Sequence, residues 1–145
     1  MNLERTFFIT TVTWQRTALF RQPRAAELMM DVLYHYLQQK KYFLHEFVIM
    51  PDHLHLLLTP AAELSLERSV QLIKGGFSYR LGKQKRGLIW QESFTSHRIR
   101  DGQDFEYHAE YIRMNPVRAG LAERPELYPC SSAARNAAIS VSSAG

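Results

Sequence analysis

Three features of the sequence predict an α+β fold built on an antiparallel sheet. Strand-like and helix-like segments alternate along most of the chain. Two β-rich segments, Tyr42 to Met50 and His53 to Thr59, are separated only by Pro51 and Asp52, a link too short for anything but an antiparallel hairpin. The helical segments each carry an apolar stripe, so they must bury one side against a sheet.

The elements follow in order. Thr6 to Trp14, TFFITTVTW, is β-branched and aromatic throughout and reads as a well-covered strand. Pro23 suits the opening of a helix that runs to about Lys40, with Leu28, Met29, Val32, Leu33, Tyr36 and Leu37 at the spacing of a buried stripe. The two hairpin strands come next. Ser65 fits the N-cap of a second helix, whose Leu66, Val70, Ile73, Phe77 and Leu81 share one face. Gly75-Gly76 weaken that helix by about 1 kcal/mol per glycine and mark a place for a kink. Leu88 to Arg100 reads as extended. A third helix starts at Asp101 or Asp104 and is expected to stop near Asn115, because Pro116 follows. The order β-α-β-β-α-β-α is that of a ferredoxin-like sheet with the helices packed on one face.

At 145 residues, one domain is expected over residues 1–132, and the small, polar segment 133–145 reads as a flexible tail. Cys130 is the only cysteine, which rules out an internal disulfide and a cysteine-based zinc cluster and fits a cytoplasmic setting. No apolar run approaches the roughly 20 residues that cross a bilayer, so no membrane partner is expected. The net charge of +4 leans weakly toward a polyanionic partner.

MPDHLHLLL, Met50 to Leu58, sets two imidazoles on one side of a strand. Residues i and i+2 share a sheet face, so His53 and His55 project together while Leu54, Leu56 and Leu58 point the other way. Two parallel imidazoles make half of a metal site. The third helix offers a completion: in FEYHAEYIRMNP, Tyr107, Tyr111 and Asn115 are spaced by four and line one side, leaving Phe105, Ala109 and Ile112 for the core. Lys74, Arg80, Lys83, Lys85, Arg86, Arg98 and Arg100, with His97, supply positive charge around the second helix and the following strand, and Trp90 and Phe94 are candidate stacking surfaces for unpaired bases. Each of these has a plainer reading, as core aromatics or a solvated basic loop.

MPDHLHLL resembles the HUH motif, histidine–bulky hydrophobic–histidine, of single-strand DNA transposases and relaxases. GLIWQESFTSHRIRD and YIRMNPVRAGL resemble the downstream blocks of the single-tyrosine members, in particular the REP-associated tyrosine transposases of bacteria. The blocks run in order from the first strand to about Ser132. The resemblance implies a ferredoxin-like core, a divalent metal, Mg²⁺ or Mn²⁺, held by His53 and His55, and Tyr111 as the nucleophile on single-stranded DNA. It places Asn115 where related enzymes have a polar third ligand, and it leaves Tyr107, one turn before Tyr111, as the other candidate nucleophile. Hairpin DNA is the implied partner, and a homodimer stays open.

The chemistry these residues would perform is cleavage and transfer of a DNA strand. The metal would polarise the phosphodiester, and Tyr111 would attack in line to give a 5′-phosphotyrosine and a free 3′-hydroxyl, which conserves the bond energy for rejoining. A phenol of pKa about 10 is only about 0.1% ionised at neutral pH, so a proton acceptor or a metal contact must assist. The same residues also admit two rivals: a single-stranded DNA or RNA hairpin-binding protein that does not cut, and a hydrolase in which the metal activates water.

Overall fold

A computed structural model of the chain describes residues 3–82 and 88–136. The Pro51–Asp52 turn folds strand β2, Tyr42–Met50, back on strand β3, His53–Pro60. Strand β1, Phe7–Val12, pairs antiparallel with β3, and the short strand β4, Thr95–Arg98, pairs with the other edge of β1. The sheet order is β2-β3-β1-β4, the ferredoxin-like order in which the hairpin lies on one side of the first strand and β4 on the other. Helices α1, Pro23–Gln38, α2, Leu66–Leu81, and α3, Gly102–Arg118, complete the described elements. The antiparallel α+β class expected from the sequence is the observed one.

The alternation of side chains along each strand sorts the core into two halves. On one face, Ile9, Phe47, Ile49, Leu54, Leu56 and Leu58 meet Met29, Val32 and Leu33 of α1 and Val70, Ile73 and Phe77 of α2. Ser65 caps α2 as expected, its hydroxyl accepting the amide of Arg68. On the other face, Val48, Met50 and Leu57 pack with Ile99 and with Ala109 and Ile112 of α3.

That second half corrects the expectation that the helices share one face. α1 and α2 do; α3 covers the opposite side. The reason is that Phe47, Val48, Ile49 and Met50 form an unbroken apolar run, and a strand of that kind needs cover on both faces. Two further expectations change. α3 does not stop before Pro116 but carries it inside its last turn; so near the C-terminus a proline forfeits a single ladder bond, and the amides of Ala119 and Leu121 still close on Asn115 and Pro116. α2 runs through Gly75 and Gly76 without a break.

The first residues of the expected tail are folded: Ala133 to Asn136 continue a helical turn that begins at Ser132, and the Arg135 guanidinium lies 5.4 Å from the Tyr34 ring of α1. Residues 137–145 lie outside the described residues, as do the candidate DNA contacts Lys83, Lys85 and Arg86. No helix among the described residues is long and apolar enough to cross a membrane.

The paired glycines of α2 play different parts. A Cβ on Gly76 would sit 2.9 Å from the Tyr36 ring of α1, whereas one on Gly75 meets nothing within 4 Å. Gly75→Ala is therefore expected to stabilise the protein by about 0.5–1 kcal/mol, while Gly76→Ala loses that gain by pushing Tyr36 aside. Urea denaturation of the two variants checks the ordering; equal stabilisation by both would mean that the helices do not approach here.

Candidate active site

His53 and His55 stand on the α3 side of β3, as the strand period requires, with ring centroids 4.7 Å apart. Each ring is held by a neighbour through Nδ1. Asp52 Oδ1 is 2.6 Å from His53 Nδ1, and Thr10, directly across from His55 on β1, hydrogen-bonds His55 Nδ1 at 2.8 Å. Both Nε2 atoms are thereby the ones left to a ligand, the arrangement typical of metal-binding histidines. Phe8 stacks on His55 at 5.2 Å. Burial, with His53 beside it, pushes the proton affinity of His55 down to a pKa of about 3. His55 is accordingly neutral, as a nitrogen donor must be.

Asp52 is itself anchored. Its carbonyl accepts from both the amide and the hydroxyl of Thr13, and its carboxylate faces the Arg16 guanidinium at 3.4 Å. His53 and Arg16 together hold that carboxyl below its usual range against the opposing pull of burial. Gln15 and Arg16 both adopt φ of 53°, a left-handed backbone that side chains rarely take. The Thr17 amide and hydroxyl, bonded to the Trp14 carbonyl, close this tight loop. A cleft of about 440 Å³ opens beside it, lined by Arg16, Arg21, Asp52, His53 and Leu121. Sequence reasoning missed Arg16 and Arg21, because nothing local links them to residues some 30 positions later.

α3 brings Tyr111 to the histidines. Its ring lies edge-on to His55 at 5.5 Å and to Phe8 at 5.8 Å, and the Arg118 guanidinium sits 5.8 Å from the ring centre. Tyr107, the other candidate, is 67% exposed and touches His108 instead. Asn115 lies one turn beyond Tyr111, partly buried and within α3 rather than at its end. α3 is tied to the sheet by Arg113, which reaches Glu46 Oε1 on β2 at 2.9 Å. The buried Glu46 also accepts the Ser132 hydroxyl.

The other sequence candidates separate. Trp90 is buried in the core between Phe20 and Phe77 and its indole N–H donates to the Lys74 carbonyl. This corrects its reading as a stacking surface for bases. Lys74 is drawn into the same contacts, donating to the Gln91 carbonyl, and burial lowers its pKa. Arg80 faces an outer groove between α1 and α2, remote from the histidines' side of the sheet. Arg98 is exposed on the edge strand, and Arg100 is bound to Asp104.

A second group was not anticipated. His97 of β4 and Asp104 and His108 of α3 lie with their donor atoms all within 4.8 Å of one another. The pairing of Asp104 with His108 one turn later was visible in the sequence; the arrival of His97 depends on the sheet register, which sets it opposite Phe8.

The sequence profile described as "Transposase IS200 like" matches residues 5–115. The REP-associated tyrosine transposase of Escherichia coli K12 is 26% identical over 95% of this chain and 86% of its own length. A Haemophilus influenzae relative named for the same group is 34% identical over 58% of this chain and 54% of its own. A solved structure of a REP-associated tyrosine transposase bound to a REP hairpin superposes with a TM-score of 0.79 at 24% identity, covering 93% of this chain and 80% of that one; at that identity it speaks for the fold.

The Glu46–Arg113 contact generates a prediction. Arg113→Ala strands a buried carboxylate and is expected to destabilise the protein by about 2 kcal/mol. Adding Glu46→Gln should restore part of that loss, since the neutral amide tolerates the missing cation. A double-mutant cycle by chemical denaturation measures it, and strictly additive losses would show that the two residues do not interact.

Proposed function

The chain belongs to the IS200-like transposase family, and from that premise we propose that it cleaves and rejoins single-stranded DNA beside hairpin repeats through a 5′-phosphotyrosine on Tyr111. The observation that carries the reading is the approach of Tyr111 to His55, 5.5 Å between ring centres, made by residues 56 positions apart on opposite layers of the fold. The donor set suits a divalent ion. The imidazoles are held through Nδ1, His55 is neutral and buried, and Asn115, one helical turn beyond Tyr111, is the proposed third ligand. Nitrogen donors suit Mn²⁺ somewhat better than Mg²⁺, and either is expected to serve. When bound, the ion supplies charge neutralisation at a non-bridging phosphate oxygen.

The chain's own residues do the rest. Asp52 and Thr10 fix the orientation of the two rings, which limits the freedom of any phosphate they help to hold. Phe8 packs against both His55 and Tyr111 and walls off that side of the pair from water. Tyr111 attacks phosphorus: the P–O bond to tyrosine forms as the bond to the 3′-oxygen breaks, and the proton given up by the phenol to solvent is matched by the one the departing 3′-oxygen takes up to leave as a hydroxyl. Arg118 above the ring favours negative charge developing on the phenol oxygen. Arg16 and Arg21, in the cleft beside His53, serve as phosphate contacts for the strand, with Arg98 and Arg100 as further candidates. Hairpin DNA as the partner is supported by the solved relative bound to a REP hairpin.

Covalent capture tests the nucleophile. With labelled hairpin oligonucleotides bearing single-stranded flanks and Mn²⁺, the wild type and Tyr107→Phe are expected to form an adduct stable on a denaturing gel, and Tyr111→Phe none. Tight binding without any adduct would favour the hairpin-binding protein that does not cut. Cleavage that survives Tyr111→Phe would favour a metal-activated water.

The histidines are tested separately. His55→Ala is expected to abolish cleavage, at least a 100-fold loss, while leaving most DNA affinity, because phosphate contacts elsewhere carry the binding. Retention of cleavage by His55→Ala in chelator would remove the metal from the reaction.

A further inference from the structure

We propose that His97, Asp104 and His108 form a second metal site, of the zinc class, distinct from the His53–His55 pair and clasping β4 to α3. Among the described residues they are the one group of three or more His, Cys, Asp or Glu side chains close enough to share an ion. The donors are two imidazoles and a carboxylate, the set found in three-ligand zinc sites that keep a fourth position open.

The geometry is close to what an ion requires. His97 Nε2 lies 2.7 Å from Asp104 Oδ2, and His108 Nδ1 lies 3.1 Å from Asp104 Oδ1. Donor atoms on a tetrahedral zinc stand about 3.3 Å apart, so small side-chain rotations admit the ion. The carboxylate is buried and already accepts the Arg100 amide and the His97 ring. To bind an ion each histidine must carry its proton on the other ring nitrogen, so His108 Nδ1 exchanges its 2.8 Å hydrogen bond to the Asp104 carbonyl for the metal, and His97 Nε2 exchanges its bond to the carboxylate. The competing cation, Arg100, approaches Asp104 Oδ2 at 3.4 Å through a side chain that is 75% exposed, free to swing away while its amide keeps its bond to the same oxygen.

The surroundings give access and a purpose. His97, Asp104 and His108 line a cleft of about 530 Å³ together with Arg100, Gln103 and Tyr107, which provides an entry path and room for a fourth ligand. Phe8 stands between the two groups, stacking on His55 and lying 4.8 Å from His108, so no ligand is shared. β4 is a four-residue strand paired, among the described residues, with β1 alone, and an ion on His97 would bind it to the helix that presents Tyr111. The proposal holds whether or not Tyr111 is the nucleophile.

The test uses the untagged full chain with His53→Ala and His55→Ala, which silences the first pair. Equilibrium dialysis against Zn²⁺ should leave one equivalent bound, Co²⁺ should give the visible absorption of a tetrahedral site, and Zn²⁺ should raise the Tm. Adding His97→Ala, or Asp104→Asn in case the alanine variant folds poorly, should remove all three signals. A doubly substituted protein that binds no Zn²⁺, or one whose bound Zn²⁺ survives both further changes, overturns the proposal and leaves the group as a hydrogen-bonded anchor only.

Discussion

The strict two-residue period of β3 is the constraint on which the rest of this molecule depends. It puts His53, His55 and Leu57 on one side, and Leu57 joins Val48, Met50 and Ile99 in an apolar surface that water does not tolerate. α3 must cover that surface. The helix that does so with Ala109 and Ile112 carries Tyr111 one position before Ile112, so burying the apolar patch and delivering the phenol to the histidines are one event. Packing and site geometry are therefore not independent variables here.

The polar contacts show how a helix is registered once the apolar face has attracted it. Hydrophobic burial is nearly indifferent to sliding, whereas the Arg113–Glu46 pair is directional and sits in a partly desolvated place. The Glu46 carboxylate lies at a bulge of β2, where the pairing with β3 slips between Leu44 and Glu46. Irregularity in the strand thus points a charge at α3 that a regular strand would direct elsewhere.

Much of this was legible in the sequence. The hairpin followed from a two-residue link and the histidines' common face from their spacing; the chain's family is the one its three blocks suggested. What escaped shares one physical character: it depends on where separate elements meet. The side of the sheet taken by α3 was hinted at only by an unbroken apolar run. The burial of Trp90 required Phe20 and Phe77 to converge on it. The meeting of His97 with Asp104 and His108 required the β1–β4 register. Local spacing encodes faces, and tertiary register encodes neighbours.

The site is drawn from two parts of the fold that are held together differently. The histidines ride on central strand β3, bonded on both sides, while Tyr111 rides on a helix that contributes nothing to the sheet's ladders. In amide exchange such parts open as separate cooperative units, the central strands last. Lifting α3 would part the phenol from the imidazoles while every strand stayed paired. The grouping of phenol and imidazoles is thus less durable than the scaffold beneath it, and a population of molecules with an intact sheet can be divided between an assembled and a disassembled group.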